Sequence, residues 1–222
     1  MRRSTLRRPG RLGMCTHTAT STHGRTSRRA APTQSKYERT SHSRPVGSIS
    51  GYSTPRVYPY CRGVIDDPVP WKDELVKAAD RLEAKTRQTR WTRRTDYLIE
   101  RDFVVSAYTM RKLIESHNVS DELRLRAFPV KRFELTGEPP DLLDPDITAS
   151  YDLDNGRRRT LSASDVCHEI VHSFVFTFFC GETTDLFDGV FVSSDRDKYD
   201  YVYLVLASDF IALCCDFGTE DV

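Results

Sequence analysis

The feature that most limits how this chain can fold is an abrupt change in composition near residue 65. Of the 222 residues, the first 65 contain 13 Lys or Arg and one acid, whereas residues 66–222 contain 20 bases and 31 acids. The few apolar residues of the basic segment follow neither a helical nor a strand period, so the segment cannot bury enough apolar surface to offset the entropy of ordering it. We predict a disordered basic arm over residues 1–65 and a single α+β domain over residues 66–222.

Three interpretations of the arm fit its Arg-rich, Ser-rich and acid-poor composition. It can bind nucleic acid without sequence preference, because clustered arginines release counterions from phosphate backbones. It also fits an organelle transit peptide. A third interpretation is that the start codon has been placed too early, so that upstream sequence is translated.

The cysteines and the hydropathy pattern favour a cytoplasmic protein. The six cysteines include no CxxC pair and show no even spacing, which argues against a disulfide framework or a ribbon-type zinc site. No window approaches the roughly 18–20 continuous apolar residues of a membrane span, so we expect no membrane contact.

Helical periodicity is clearest in the first part of the predicted domain. The spacing of apolar residues predicts helices over about 71–88 and 96–117, the second capped by Thr95 or Asp96. A shorter helix is expected from Asp165 to about His172, with Ser164 as its cap. Ser208 is expected to cap a last helix, which Gly218 ends.

Strand-like patterns dominate the remainder. Residues 127–135 are expected to form an edge strand, because Pro129 cannot donate a ladder hydrogen bond. Asn155-Gly156 predicts a type I′ hairpin in which acids of residues 151–154 face the arginines of residues 157–161. Further strands are predicted over residues 174–179, 189–192 and 201–206, with a turn over 193–197. The resulting fold class is α+β, an N-terminal helical pair packed on a mainly antiparallel sheet with a short C-terminal helix.

The sharpest chemical hypothesis comes from the segment His168-Glu169-Ile170-Val171-His172. It matches H-E-x-x-H, in which two imidazoles one helical turn apart hold zinc and the glutamate acts as general base. Helical projection, however, places both histidines opposite the apolar side, facing solvent. A third ligand would have to come from Glu182, Asp185, Asp188 or Cys180.

Three other constellations have simpler explanations. Arg111 and His117 have the Arg, five residues, His spacing of the all-helical HEPN ribonucleases, although Arg111 can equally pair with Glu115. Cys167 beside His168 suggests a nucleophile, yet neighbouring helical residues point about 100° apart, so a core position is the better interpretation. The acids Asp141, Asp144, Asp146, Asp152 and Asp154 match no calcium-loop pattern and are interpreted as a solvated loop.

From about residue 71 to 218 the chain resembles a group of bacterial proteins that have no assigned activity. The similar segments are residues 111–115 (Arg-Lys-Leu-Ile-Glu), 170–173 (Ile-Val-His-Ser) and 194–196 (Ser-Asp-Arg). The resemblance implies a bacterial origin and no catalytic residue. It includes His172 but neither His168 nor Glu169.

The leading interpretation is therefore a cytoplasmic, non-enzymatic domain that associates with another molecule and needs no cofactor. The sequence does not identify this partner, and another protein is one candidate. One alternative is a zinc-dependent hydrolase with His168 and His172 as ligands and Glu169 as base. The other is a nucleic-acid-binding protein or ribonuclease, with the basic arm contacting the nucleic acid.

Overall fold

Two long amphipathic helices precede the first strand. A computed structural model describes residues 65–141, 146–181 and 186–221, so the predicted basic arm lies outside the described residues except for Ile65. Helix α1 covers Val69–Thr86 and α2 covers Arg93–Glu115, which confirms both predicted helices with small shifts at their ends. The cap of α2 is Thr92, whose side chain accepts from the Thr95 backbone N–H and whose own N–H donates to Thr95 Oγ1. Thr92 and Thr95 thus form a capping box, in which each side chain accepts from the backbone N–H of the other. Because of this cap, α2 begins before its first apolar residue.

The rest of the described chain forms a mixed succession of strands and helices. The elements are α3 (Asp121–Arg124), β1 (Ala127–Glu134), β2 (Arg157–Ser162), α4 (Ala163–Val171), β3 (Ser173–Cys180), β4 (Phe187–Ser194), a 3₁₀ turn (Asp197–Tyr199), β5 (Tyr201–Leu206) and α5 (Ala207–Thr219). The five strands form one sheet in the order β2-β1-β5-β4-β3, and every neighbouring pair is antiparallel. The predicted α+β class is thus confirmed, with a helical pair before the sheet and a helix at its C-terminal end.

The sheet has a helical face and an outer face. The helical face carries the larger core, in which Phe103 of α2 stacks on Phe210 of α5 with ring centroids 4.3 Å apart. Both rings are fully buried, and truncating such a ring to Ala typically costs about 3–5 kcal/mol. The outer face carries a smaller cluster that includes Phe133, Phe191 and Leu204 of the sheet and Tyr151 from the preceding loop.

The predicted hairpin at Asn155-Gly156 is wrong. Tyr151 forms only an isolated bridge with Leu135, and residues 157–162 pair with β1 instead. Gly156 has no positive φ, as a type I′ turn would require. A Cβ at Gly156 would lie 2.4 Å from the Phe133 ring, so this glycine serves close packing rather than turn geometry.

The prediction that residues 127–135 form an edge strand is also wrong, because β1 lies between β2 and β5. Pro129 is tolerated because the pairing of β1 with β5 begins only at Lys131. At Pro129, β1 is paired only with β2. The N–H that proline lacks therefore removes no hydrogen bond between β1 and β5.

Besides the cap of α2, which is Thr92 and not Thr95 or Asp96, three helix ends differ from the predictions. Ser162, not Ser164, caps α4, and Asp165 completes its capping box. Helix α5 has Leu206 at its N-cap position, without a side-chain cap. Gly218 lies inside α5, where a Cβ would be 2.6 Å from Val76 Cγ2, so it permits α5 to pack closely on α1.

Candidate functional site

The H-E-x-x-H segment lies at the C-terminal end of α4. The rings of His168 and His172 are close, with centroids 4.6 Å apart, as expected for residues one turn apart. His172 is exposed and His168 half-buried. The imidazoles therefore share a solvent-accessible side of the helix, as the sequence predicts.

Glu169 points away from that side and into the protein. Only 4% of it is exposed, and its Oε2 accepts a 2.8 Å hydrogen bond from the Ser194 backbone N–H at the end of β4. Burial raises the pKa of Glu169, and the nearby carboxylate of Asp197 raises it further. A buried glutamate that is already hydrogen-bonded to the Ser194 backbone is poorly placed to accept a proton from a water on the histidines.

Asp197 shares this buried position but stays ionised. Burial raises its pKa, yet hydrogen bonds from Arg196 and Tyr201 outweigh this effect and hold the pKa below its usual value. Arg196 Nε lies 2.8 Å from Asp197 Oδ1, and Tyr201 Oη donates to Asp197 Oδ2 at 3.1 Å. The pKa values of the two carboxyl groups therefore shift in opposite directions, and their hydrogen bonds to Ser194, Arg196 and Tyr201 hold the turn after β4 in place.

Arg111 of α2 contacts His172 rather than His117. Its Nη1 lies 2.8 Å from His172 Nε2, and its Nε donates to Glu115 at 2.8 Å. A guanidinium has no acceptor, so His172 Nε2 must be the acceptor of this bond. The lone pair that would bind zinc is therefore already engaged by a cation.

His117 has a structural role that explains its position after α2. It has a positive φ of 56°, and Asn118 N–H donates to Leu113 O at 2.9 Å while His117 N–H donates to Ile114 O at 3.1 Å. This pattern is a Schellman motif, in which the residue after the C-cap takes a left-handed conformation. The Arg111–His117 spacing is thus accounted for by a helix end.

Among the residues that the structure describes, the other candidates from sequence are not brought together. Cys167 belongs to the core, and burial raises the pKa of its thiol. Of the proposed third ligands, Glu182 and Asp185 lie outside the described residues, as does Asp144 of the acidic loop, and Asp188 is exposed on β4. Cys180 forms a disulfide bond, which the cysteine spacing does not predict and which removes its thiolate as a ligand.

The acidic loop is held by its own hydrogen bonds. Asp146 accepts from both the backbone N–H and the hydroxyl of Thr148, bonds that lower the pKa of Asp146, and Asp152 accepts from the Asn155 side chain. Within residues 65–141, 146–181 and 186–221, no group of three or more His, Cys, Asp or Glu side chains is arranged to hold a metal ion.

A basic feature that the sequence interpretation missed lies on β1 and β2. Lys131 is directly opposite Arg158, and Arg132 is directly opposite Arg157. Like charges at directly opposite positions destabilise a sheet. We call the five bases of these strands the basic ribbon: Lys131, Arg132, Arg157, Arg158 and Arg159.

Four of the five ribbon bases are exposed and form no ion pair with a described acid, and Arg132 is the exception. Among the described acids, none forms an ion pair with Lys131 or with residues 157–159, whereas Arg132 pairs with Glu134 and lies over the Tyr201 ring. The arginines lack acids because β2 pairs with β1 and not with residues 151–154. The run of three arginines was visible in the sequence, but its partner strand was not.

A groove opens beside the ribbon on the outer face. It has a volume of about 650 Å³, and its lining includes Arg158 of β2, Lys131 of β1, Leu204 and Leu206 of β5, Asp188 of β4, Phe179 of β3 and Asp209 of α5. The size falls within the range of small-molecule sites in proteins.

Comparison of the chain with protein-family models, curated proteins and solved structures finds no match. Among the helices in the described ranges, none combines the length and the apolar character that crossing a membrane requires.

Proposed function

We propose that this protein is a non-enzymatic binding domain whose basic ribbon contacts the sugar–phosphate backbone of a nucleic acid. The observation that carries the proposal is that like charges face each other at two positions of the ladder, Lys131 opposite Arg158 and Arg132 opposite Arg157. Such pairs cost stability in the free protein, and a bound polyanion removes this cost.

The location of the ribbon supports this function. β2 is an edge strand, and the three arginines at residues 157–159 are exposed. Arginine presents a planar fork of donors that matches phosphate oxygens. Strand alternation places Arg157 and Arg159 on one face and Arg158 on the other, so the ribbon presents cations on both sides of the edge.

Residues 66–222 carry more acids than bases, so most of the domain surface repels phosphates. Within the domain, the attraction for phosphates is therefore expected at the basic ribbon. The ribbon exposes no aromatic side chain on which bases could stack. We therefore expect binding that depends on salt and little on nucleotide sequence, for RNA and DNA alike.

The test measures affinity of the full chain for a single-stranded RNA and a duplex DNA over a range of salt concentrations. The triple variant Arg157→Gln, Arg158→Gln, Arg159→Gln should bind more weakly. Its slope of log affinity against log salt on the RNA should fall by roughly 0.7 for each phosphate that the variant no longer neutralises. The control variant Arg87→Gln, Arg93→Gln, Arg94→Gln removes the same charge from exposed positions at the ends of α1 and α2 and should keep the slope.

Two results would overturn this proposal. An unchanged slope in the ribbon variant would assign nucleic-acid binding to other residues, including the basic segment 1–65. Self-association of the ribbon variant with unchanged affinity would show that the arginines only protect an edge strand from pairing with other chains.

Zinc-dependent hydrolysis by the α4 motif is a second candidate function, favoured by the 4.6 Å separation of the two imidazoles. It requires Arg111 to release His172 and Glu169 to leave the Ser194 N–H. Metal analysis of protein purified without added zinc, with His168→Ala and His172→Ala as controls, tests it. Stoichiometric zinc that both variants lose would establish the site, and its absence from the wild type would reject it.

A further inference from the structure

We propose that the outer-face groove binds a single nucleotide, with its phosphate at Lys131 and Arg158 and its base over Leu204 and Leu206. The proposal rests on the proposed function in one respect, that Lys131 and Arg158 receive phosphate. It adds a base-binding site, which the ribbon alone does not provide.

The strand order separates the cations of β1 and β2 from Asp188 of β4, and β5 with its apolar side chains lies between them. Arg158, Lys131 and Leu204 are successive ladder partners across β2, β1 and β5, and they therefore lie on the same face. Leu206 follows on β5 and is paired with Gly189 of β4. Four neighbouring strands span about 14 Å, so a ligand must be long enough to reach from the cations across the floor.

The floor is apolar and leaves room for a flat ring. Leu206 is half-buried and supplies the accessible part of the floor, whereas Leu204 and Phe179 are almost fully buried and present only a thin apolar surface to the groove. At Gly189 a Cβ would lie 2.4 Å from the Val205 carbonyl oxygen, so β4 carries no side chain beside Leu206 and its backbone packs closely on β5. A flat base can pack on such a floor, whereas a polyphosphate alone would gain nothing from it.

The far end of the groove selects a ligand with hydrogen-bond donors. Asp188 of β4 lines this end, Asp209 lines the groove from the first turn of α5, and among the described bases neither has an ion-pair partner. Asp209 is half-buried, and this burial raises the pKa of its carboxyl group. A carboxylate accepts from an exocyclic amine such as N4 of cytosine, while uracil presents the O4 acceptor at the same position. The groove therefore favours an amine-bearing base over uracil.

The matched ligands CMP and UMP test this proposal with the full chain by titration calorimetry, and amide shifts of residues on β5 locate the site. CMP should bind about tenfold more tightly than UMP. Asp188→Asn and Asp209→Asn should each reduce this ratio toward one, because an amide can donate to O4 of uracil. Lys131→Gln should weaken both nucleotides equally, and cytidine without phosphate should bind as weakly to the wild type as to Lys131→Gln.

Each failure has a separate meaning. Equal affinity for CMP and UMP with no effect of either Asp variant would overturn the base-binding assignment. Binding of RNA with the expected salt slope, but of no mononucleotide at millimolar concentration, would reject the groove while leaving the ribbon in place. Binding of CMP without any effect of ribbon substitutions on RNA would reject the proposed function and retain the groove.

Discussion

Lys131 and Arg158 occupy directly opposite positions in the antiparallel ladder between β1 and β2. Their side chains project from the same face of the sheet, next to the groove, with no described acid paired to either. Two cations held side by side by backbone register repel each other in the free protein and attract the same anion. Stability and binding are therefore expected to change in opposite directions when one of them is replaced.

Arg158→Thr should stabilise the protein and weaken nucleic-acid binding. Removing the like charge and introducing a good strand former should raise the free energy of unfolding by about 0.2–1 kcal/mol at low salt. Because salt screens the repulsion, the gain should shrink as salt increases. Urea denaturation at two salt concentrations measures it. A loss of stability in Arg158→Thr would show that the arginine has a stabilising contact.

Glu169→Gln should stabilise the protein at neutral pH and not in acid. The pKa of Glu169 is raised above its ordinary value of 4.5, first by burial and then by Asp197. Folding therefore takes up a proton in this range, and the free energy of unfolding of the wild type falls as pH rises through the raised pKa. Glutamine remains neutral, can still accept from the Ser194 N–H and can donate to Asp197.

Chemical denaturation between pH 4 and 8 checks this prediction. The stability of Glu169→Gln relative to the wild type should increase with pH and vanish near pH 4. Below that range both proteins should lose stability together, because the lowered pKa of Asp197 makes its ionised form stabilising. Parallel pH curves for the two proteins over the whole range would contradict the assignment.

His117→Gly should stabilise the protein. His117 is the non-glycine residue with positive φ at the end of α2, and glycine adopts this conformation without strain. The relief of about 1–2 kcal/mol outweighs the extra chain entropy of about 0.4–1 kcal/mol in the unfolded state. Thermal unfolding should therefore shift upward, while the control His117→Ala should show no gain. RNA cleavage by the wild type that His117→Gly abolishes would instead support a catalytic role for this histidine.

Asp102→Asn should weaken the link between α1 and α2. Asp102 is 3% exposed and accepts from Arg81 at 3.1 Å and from Arg101 at 2.6 Å. Buried hydrogen bonds to charged groups contribute about 1.5–3 kcal/mol, so a loss of this size is expected in urea denaturation. The control Glu83→Gln removes an exposed pair with Arg87 and should cost less than about 0.5 kcal/mol. Equal losses in both variants would show that burial of Asp102 adds nothing.

Much of the fold was predictable because it follows from local pattern. The apolar stripes of α1 and α2 and the β-branched and aromatic run of β5 each match one period over a long enough segment. The solvent-facing side of His168 and His172 was predictable for the same reason, since helical geometry fixes which residues share a side. Glu169 was not, because its burial depends on Ser194 and Asp197, which are distant in sequence.

The sequence by itself determined, to within a few residues, where α1, α2, α4, α5 and the five strands lie and which side chains of these elements are apolar. Only the tertiary structure decided that residues 157–162 pair with β1, which leaves their arginines opposite other bases instead of the acids of residues 151–154. The physical reason is that local periodicity and turn residues act over a few neighbours. Strand pairing, by contrast, is decided by burial and backbone hydrogen bonding among segments that are far apart along the chain.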